Sequence, residues 1–150
     1  MTLVTEASDR TGEAIADVED QLSVLFGRIR VVWKESAQQV HPDLQPAGYK
    51  LLAAIARLGT TNAHALADMF EMDKSVISRQ VRMLEDLGLV ESRPDERDGR
   101  VRVLVASTRA QELVQQVRDR NQQRLRDVLV DRPEAELRSF ADLLRGINEA

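Results

Sequence analysis

The sequence predicts a mainly α-helical protein with one small β-hairpin, and three observations support this fold class. Apolar residues recur at helical spacing over long stretches at both ends of the chain. Short helical segments joined by a tight turn occupy the middle. Two β-branched segments that flank a charged loop follow them. A length of 150 residues suits one compact domain with additional helices.

The first long helix is predicted over residues 13–42, after a polar segment, residues 1–12, that we expect to be flexible. Its apolar residues alternate at steps of three and four, which is the spacing of a seam that packs against another helix. His41 and Pro42 end the helix, because a residue before proline disfavours the helical conformation. We expect a homodimer to form through Ile15, Val18, Leu22, Leu25 and Ile29.

Three shorter helices are predicted next. Pro46 suits the first turn of one helix, and Gly59 suits its end. Asn62 and Asp73 are good N-caps for the two helices that follow, the second of which ends near Gly88. The segment therefore predicts a helix, a tight turn and a second helix.

The hairpin is predicted from residues 89–93 and 101–105, with a charged tip at residues 94–100. Ser107 can then cap a long helix, and Pro133 opens a last one. We therefore expect a winged helix-turn-helix over residues 46–106 and dimerisation helices over residues 107–150. The last helix would add Phe140, Leu144 and Ile147 to the dimer interface.

The helix after Asp73 carries the main functional signal. Ile77, Val81 and Leu84 share one face, which predicts burial, and a polar face with two arginines and no acid lies elsewhere. Hydroxyls and guanidiniums are the groups that contact phosphates and base edges when a helix enters the major groove. The candidate DNA-contacting residues are Lys74, Ser75, Val76, Ser78, Arg79, Gln80 and Arg82.

The hairpin tip carries a second candidate DNA contact, formed by Asp95, Arg97, Asp98 and Arg100. An arginine on such a loop can reach a narrow, strongly negative minor groove. Either feature alone also fits an ordinary solvated surface. Their order and proximity favour duplex DNA as the partner.

These residues resemble the MarR family of bacterial transcription regulators. The resemblance rests on Asp73-Lys74-Ser75-Val76-Ile77-Ser78-Arg79, on Leu84-Glu85-Asp86-Leu87-Gly88-Leu89-Val90 and on Asp95-Glu96-Arg97-Asp98-Gly99-Arg100. It implies a repressor that binds a palindromic operator as a homodimer, with its wings in the flanking minor grooves. It also implies that Arg100 enters the minor groove and that Asp98 holds it. The chain departs from the family at Ala106, Ser107 and Ala110, where a Leu-Thr pair and a glycine are common.

Several function classes are excluded or disfavoured by composition. The absence of cysteine excludes disulfides, thiolate zinc sites and sensing by cysteine oxidation. Two distant histidines and scattered glycines supply neither an enzyme's catalytic group nor a metal site, so we expect no cofactor and no metal. The start of the chain lacks a signal-peptide pattern and no apolar run would span a membrane, so we expect a cytoplasmic protein.

Two questions stay open at this point. Trp33 and Tyr49 lie near where relatives often hold a phenolic or aromatic effector, although a lone Trp and Tyr more often belong to the core. The alternative to a DNA-binding regulator is a winged-helix module that binds protein, as an anti-repressor or adaptor. That alternative predicts an apolar or acidic recognition face, which Ser78, Arg79 and Arg82 do not form.

Overall fold

The computed structural model describes the backbone of residues 2–150 and the side chains of residues 9–150. This part of the chain forms six helices and one antiparallel hairpin, which confirms the predicted fold class. The elements are α1 (Thr2–Val40), α2 (Pro46–Leu58), α3 (Ala63–Phe70), α4 (Lys74–Asp86), β1 (Val90–Pro94), β2 (Arg102–Ala106), α5 (Thr108–Leu129) and α6 (Glu134–Glu149).

Helix α1 is longer than predicted. Residues 9–12, expected to be part of a flexible segment, are helical. The side chains of residues 1–8, the rest of that segment, lie outside the described part. A glycine inside a helix costs about 1 kcal/mol relative to alanine. Gly12 nevertheless lies within α1 and does not end it. At the other end, His41 Nδ1 accepts a hydrogen bond from the Asp43 N–H at 3.1 Å, where the chain turns.

The N-cap residues of three helices lie where the sequence predicts them, but only two of them cap through their side chains. The side chain of Asn62 accepts a hydrogen bond from the Ala65 N–H at 2.8 Å, and that of Ser107 accepts one from the Ala110 N–H at 3.2 Å. Asp73 also occupies its predicted N-cap position, but its carboxylate makes no capping bond. Its backbone carbonyl accepts hydrogen bonds at the start of α4 instead.

Both strands of the hairpin start one residue later than predicted. Pro94 pairs with Arg102, and the Asp95 N–H donates to the Val101 carbonyl at 2.8 Å, which closes the tip beyond them. Thr61, between α2 and α3, adds a contact that the sequence analysis did not predict. It exchanges two backbone hydrogen bonds with Leu104, at 3.2 and 2.7 Å, and so ties the wing to the helical core.

The core holds α2, α3 and α4 together. Leu52, Ile55, Leu66, Ile77 and Leu84 are its largest fully buried apolar side chains. Burial of each contributes roughly 1.5–3 kcal/mol. Helix α4 is therefore fixed by one face, and its opposite face is left at the surface.

The two ends of the chain are exposed. From residue 9 to residue 31, α1 has no buried side chain, and α6 has none along its whole length. Ile15, Val18, Leu25 and Ile29 are 39–55% exposed, and Phe140 and Ile147 are 51% and 52% exposed. These apolar side chains therefore remain uncovered in a single copy of the chain.

Candidate nucleic-acid interface

Helix α4 has two chemically distinct faces. Ile77, Val81 and Leu84 are buried, as their spacing predicts. Lys74, Ser75, Ser78, Arg79 and Arg82 are exposed. Five of the seven candidate residues on this helix are therefore open to a partner.

The three cations on this face are electrostatically available. Lys74, Arg79 and Arg82 make no ion pair with any carboxylate whose side chain the structure describes. A guanidinium without a carboxylate partner offers all its donors to an incoming anion. This face can therefore bind phosphates or base acceptors without first breaking an ion pair.

Val76 and Gln80, the other two candidates, are only half exposed. A β-carbon built on Gly48 would lie 3.6 Å from Gln80 Oε1, so this amide oxygen lies close to α2. The structure thus places Gln80 at the contact between α2 and α4, at the edge of the exposed face. Helical spacing alone does not reveal this, because Gln80 lies between the two faces.

The wing tip is organised by its acidic residues. Asp95 Oδ1 accepts hydrogen bonds from the N–H groups of Arg97, at 2.6 Å, and Asp98, at 3.2 Å. Asp98 Oδ1 accepts one from the Arg100 N–H at 3.1 Å. Asp98 therefore contacts Arg100 through the backbone, and within residues 9–150 the guanidiniums of Arg97 and Arg100 form no ion pair.

Two further arginines stiffen the hairpin below this tip. Arg102 donates from Nε to Ser92 Oγ at 3.1 Å and from Nη2 to the Ser92 carbonyl at 2.6 Å, across the two strands. Arg93 binds the Glu91 carboxylate at 2.5 Å. The sequence pattern does not distinguish these two arginines from those of the tip, since a strand pattern does not tell which arginines bond within the hairpin.

Trp33 and Tyr49, which the sequence leaves open as an effector site or as core, line a cleft of about 900 Å³ between α1, α2 and α5. The ring centroids of Trp33 and Tyr49 are 5.7 Å apart, and Lys50 Nζ lies 5.0 Å from the Trp33 centroid. Ser36, nearly fully buried, accepts a hydrogen bond from Asn121 Nδ2 at 3.2 Å. The cleft is thus largely apolar, with polar groups at Ser36 and Asn121.

Burial raises the pKa of the Tyr49 hydroxyl above its ordinary value of 10.0, against the opposing effects of a hydrogen bond with Ser36 and of the Arg118 charge. The phenol therefore stays protonated at neutral pH. It can bind a ligand as a neutral hydrogen-bonding group.

Comparison with known proteins shows which regulators the chain resembles. The MarR family model matches residues 43–101, from the turn before α2 to the end of the wing tip. A relative from Bacillus subtilis (strain 168), named "Uncharacterized HTH-type transcriptional regulator YxaD", is 26% identical over 121 residues, which are 81% of this chain and 85% of the relative. Over this central region the chain resembles the MarR family. MarR proteins are transcription regulators, and the winged helix of this chain is the element they share.

Solved structures of transcription regulators have the same fold as this chain. The crystal structure of the MarR family transcription regulator SP03579 superposes with a TM-score of 0.80 at 14% identity, over 95% of this chain and 93% of the other. FabT from Streptococcus pneumoniae, solved in complex with DNA, gives a TM-score of 0.77 at 13% identity, over 88% and 93%. At these identities the likeness concerns the fold alone.

No helix in the described part of the chain is long and apolar enough to cross a membrane. Among the same residues, no three His, Asp or Glu side chains are grouped as a metal ion would need.

Proposed function

We propose that this MarR-family regulator binds a palindromic duplex DNA operator as a homodimer and represses transcription in the cytoplasm. The observation that carries the proposal is the exposed face of α4, where Ser75, Ser78, Arg79 and Arg82 lie together and no acidic residue falls between Ser75 and Arg82. In this proposal the rest of the chain holds that face in position, and dimerisation supplies a second copy of it.

In this proposal, α4 enters the major groove with its exposed face toward the base pairs. Arg79 and Arg82 can donate two hydrogen bonds each to guanine O6 and N7, which is the commonest specific contact of arginine with DNA. Lys74, Ser75 and Ser78 lie nearer the start of the helix and would bind backbone phosphates, which set its position. The net charge of −4 does not oppose this, because the segment from Lys74 to Arg82 carries three cations and no acid.

The wing would contact the flanking minor groove through Arg100, with Arg97 on the adjacent backbone. A narrow minor groove concentrates negative potential and attracts an arginine side chain. The hydrogen bonds of Asp95 and Asp98 hold the tip in one shape before DNA arrives. Less conformational entropy is therefore lost when the wing binds.

The homodimer would form through the exposed apolar residues of α1 and α6, together with Leu125 and Val128 of α5, which are 60% and 68% exposed. A two-fold dimer uses the same patch on both copies, so the exposed apolar residues of one copy can be covered by those of the other. It would also place two α4 helices on half-sites about one helical turn, 34–36 Å, apart. Repression then follows if an occupied operator excludes RNA polymerase.

An aromatic or phenolic effector would act from the cleft beside Trp33 and Tyr49. This cleft lies between α1 and α5, which belong to the proposed dimer, and α2, which packs against α4. A ligand can shift the separation of the two α4 helices only if it binds one arrangement better than the other. Release from DNA follows when the favoured arrangement no longer fits consecutive grooves.

Selection of the purified protein against random duplex DNA, followed by titration of the enriched sequence over a salt series, tests the proposal. We expect an inverted repeat bound by two copies and a log-log salt slope of about −0.9 per phosphate contacted. A shuffled repeat of equal composition is the control. Equal binding of both sequences would contradict operator recognition and favour the protein-binding alternative.

A further inference from the structure

Three of the four methionines of the chain lie in the helix-turn-helix formed by α3 and α4, and all three are at the surface. Met69, Met72 and Met83 are 43%, 41% and 40% exposed, although methionine ordinarily fills gaps in a core. The chain has no cysteine, so thioethers are its only oxidisable sulfur groups. Most of them are therefore placed in the unit that would bind DNA.

Met83 lies one helical turn after Arg79 on α4. Residues four apart in a helix are neighbours on its surface, and a methionine side chain in a helix leans back over the preceding turn. The Met83 thioether therefore belongs beside the Arg79 side chain, at the edge of the exposed face of α4. The Arg79 guanidinium makes no ion pair with any side chain of residues 9–150, so no carboxylate occupies its donors.

We propose that Met83 is a reversible oxidation site that controls Arg79, so that hydrogen peroxide weakens operator binding. The Met83 sulfur donates an electron pair to one peroxide oxygen, the O–O bond breaks, and the other oxygen leaves as hydroxide. The proton of the transferred oxygen passes to this hydroxide, which becomes water. The sulfur is oxidised by two electrons to a sulfoxide, and the peroxide is reduced by two electrons.

Oxidation changes what Met83 offers to its neighbour. A thioether sulfur accepts hydrogen bonds only weakly, whereas a sulfoxide is polar and carries an accepting oxygen. We expect this oxygen to accept a hydrogen bond from the Arg79 guanidinium and to hold that group along α4. Arg79 then has fewer donors for guanine O6 and N7. This inference rests on the proposed function, which places Arg79 at a base edge.

Met69 provides a matched comparison on α3. It is about as exposed as Met83, and its sulfur lies 4.0 Å from Arg57 Nη2. Arg57 belongs to α2 and is not among the candidate DNA contacts. Oxidation of Met69 should therefore leave operator binding unchanged, although its sulfoxide would also meet a guanidinium.

The first measurement needs no DNA. The full chain is treated with hydrogen peroxide, and peptide mass spectrometry follows the oxidation of each methionine. Nuclear magnetic resonance then reports the hydrogen exchange of the Arg79 Nε–H group, whose signal is identified by its loss in Arg79→Lys. We expect slower exchange of this group in the oxidised chain and no such change in oxidised Met83→Leu.

The second measurement compares operator affinity before and after oxidation in the unaltered chain, in Met83→Leu and in Met69→Leu. Leucine keeps the apolar volume and cannot form a sulfoxide. Oxidation should weaken binding by about fivefold or more in the unaltered chain and in Met69→Leu, because one arginine–base contact is lost. The affinity of Met83→Leu should not change. Methionine sulfoxide reductases that act on both sulfoxide epimers should restore the affinity of the unaltered chain.

Several results would overturn the inference. If Met83 stays reduced while Met69 is oxidised, Met83 is not an oxidation site. Unchanged exchange at Arg79 in the oxidised chain would show that the sulfoxide does not bind this arginine. Equal operator affinity before and after oxidation, or an equal loss in Met83→Leu, would show that Met83 does not control DNA binding. A reduced chain that binds no operator would instead refute the proposed function, and the exchange measurement would still decide whether the sulfoxide binds Arg79.

Discussion

Asp95 and Asp98 show how a residue's role depends on which atoms it contacts. Both lie within two residues of an arginine in the sequence, where an acid would ordinarily be expected to neutralise it. Their carboxylates instead bind backbone N–H groups of the tip. The guanidiniums of Arg97 and Arg100 therefore keep their donors for another anion, and the acids contribute shape to the loop.

Arg79→Ala and Arg82→Ala should each weaken specific operator binding by about 1–3 kcal/mol if the arginine contacts a base edge. The fold should be unaffected, because both side chains are exposed. Titration of operator and shuffled DNA measures the difference, with Arg138→Ala on α6 as the control. Equal weakening on both DNAs would identify a phosphate contact instead.

Tyr49 should ionise at a higher pH in the folded protein than in the unfolded chain, because burial raises its pKa above 10.0. The unfolded state therefore releases the proton first, and the stability contributed by this group is lost as pH rises from 10.0 toward the folded-state pKa. As Tyr49 is the only tyrosine, absorbance at 295 nm follows it directly. A native midpoint at or below that of the urea-unfolded chain would contradict this prediction.

At the scale of single elements, the sequence predicted helices best where spacing and capping agreed. The buried face of α4, the start of α2 at Pro46 and the side-chain caps of Asn62 and Ser107 follow from local chemistry. The position of Gln80 and the Thr61–Leu104 pairing did not, because each depends on a residue distant in the chain. The length of α1 was also missed, since a polar segment shows no periodicity.

The wing is the element whose role can be tested separately. Arg100→Ala should reduce operator affinity and leave the unfolding midpoint unchanged, because this exposed side chain takes no part in the hydrogen bonds that shape the tip. Asp98→Ala should also reduce affinity, because it removes the hydrogen bond to the Arg100 N–H that helps to shape the tip. Fluorescence anisotropy on operator DNA measures both effects. Unaltered affinity of Arg100→Ala would exclude the wing from DNA binding.

At the scale of the whole molecule, one copy of the chain leaves its apolar ends unpartnered. The alternating spacing in α1 predicted a stripe, and the structure shows that α1 residues 9–31 have no covering element within the described chain. Which surface covers this stripe depends on how copies of the chain, or other partners, assemble with it. A single sequence therefore indicates the surface and not the geometry of its partner.

Leu25→Glu should convert the protein to a monomer that binds operator DNA poorly, because a charge in an apolar interface is costly to bury and the two half-sites lose their cooperation. Leu25 is 47% exposed, so the single-copy fold should survive. Val31→Glu, a matched change at a 48% exposed position on the other side of α1, should remain dimeric. Sedimentation velocity distinguishes the two, and a dimeric Leu25→Glu chain would contradict the proposed seam.

The two hydrogen bonds between Thr61 and Leu104 have a consequence for how the operator can vary. They join Leu104 of the wing to the segment between α2 and α3, and both of these helices pack against α4. We therefore expect the wing and α4 to tilt together. The distance between a major-groove contact and its flanking minor-groove contact is then a constant of the protein. An operator with one base pair inserted between those contacts should lose one of them entirely, whereas a changed spacing between half-sites should be tolerated according to the flexibility of the dimer.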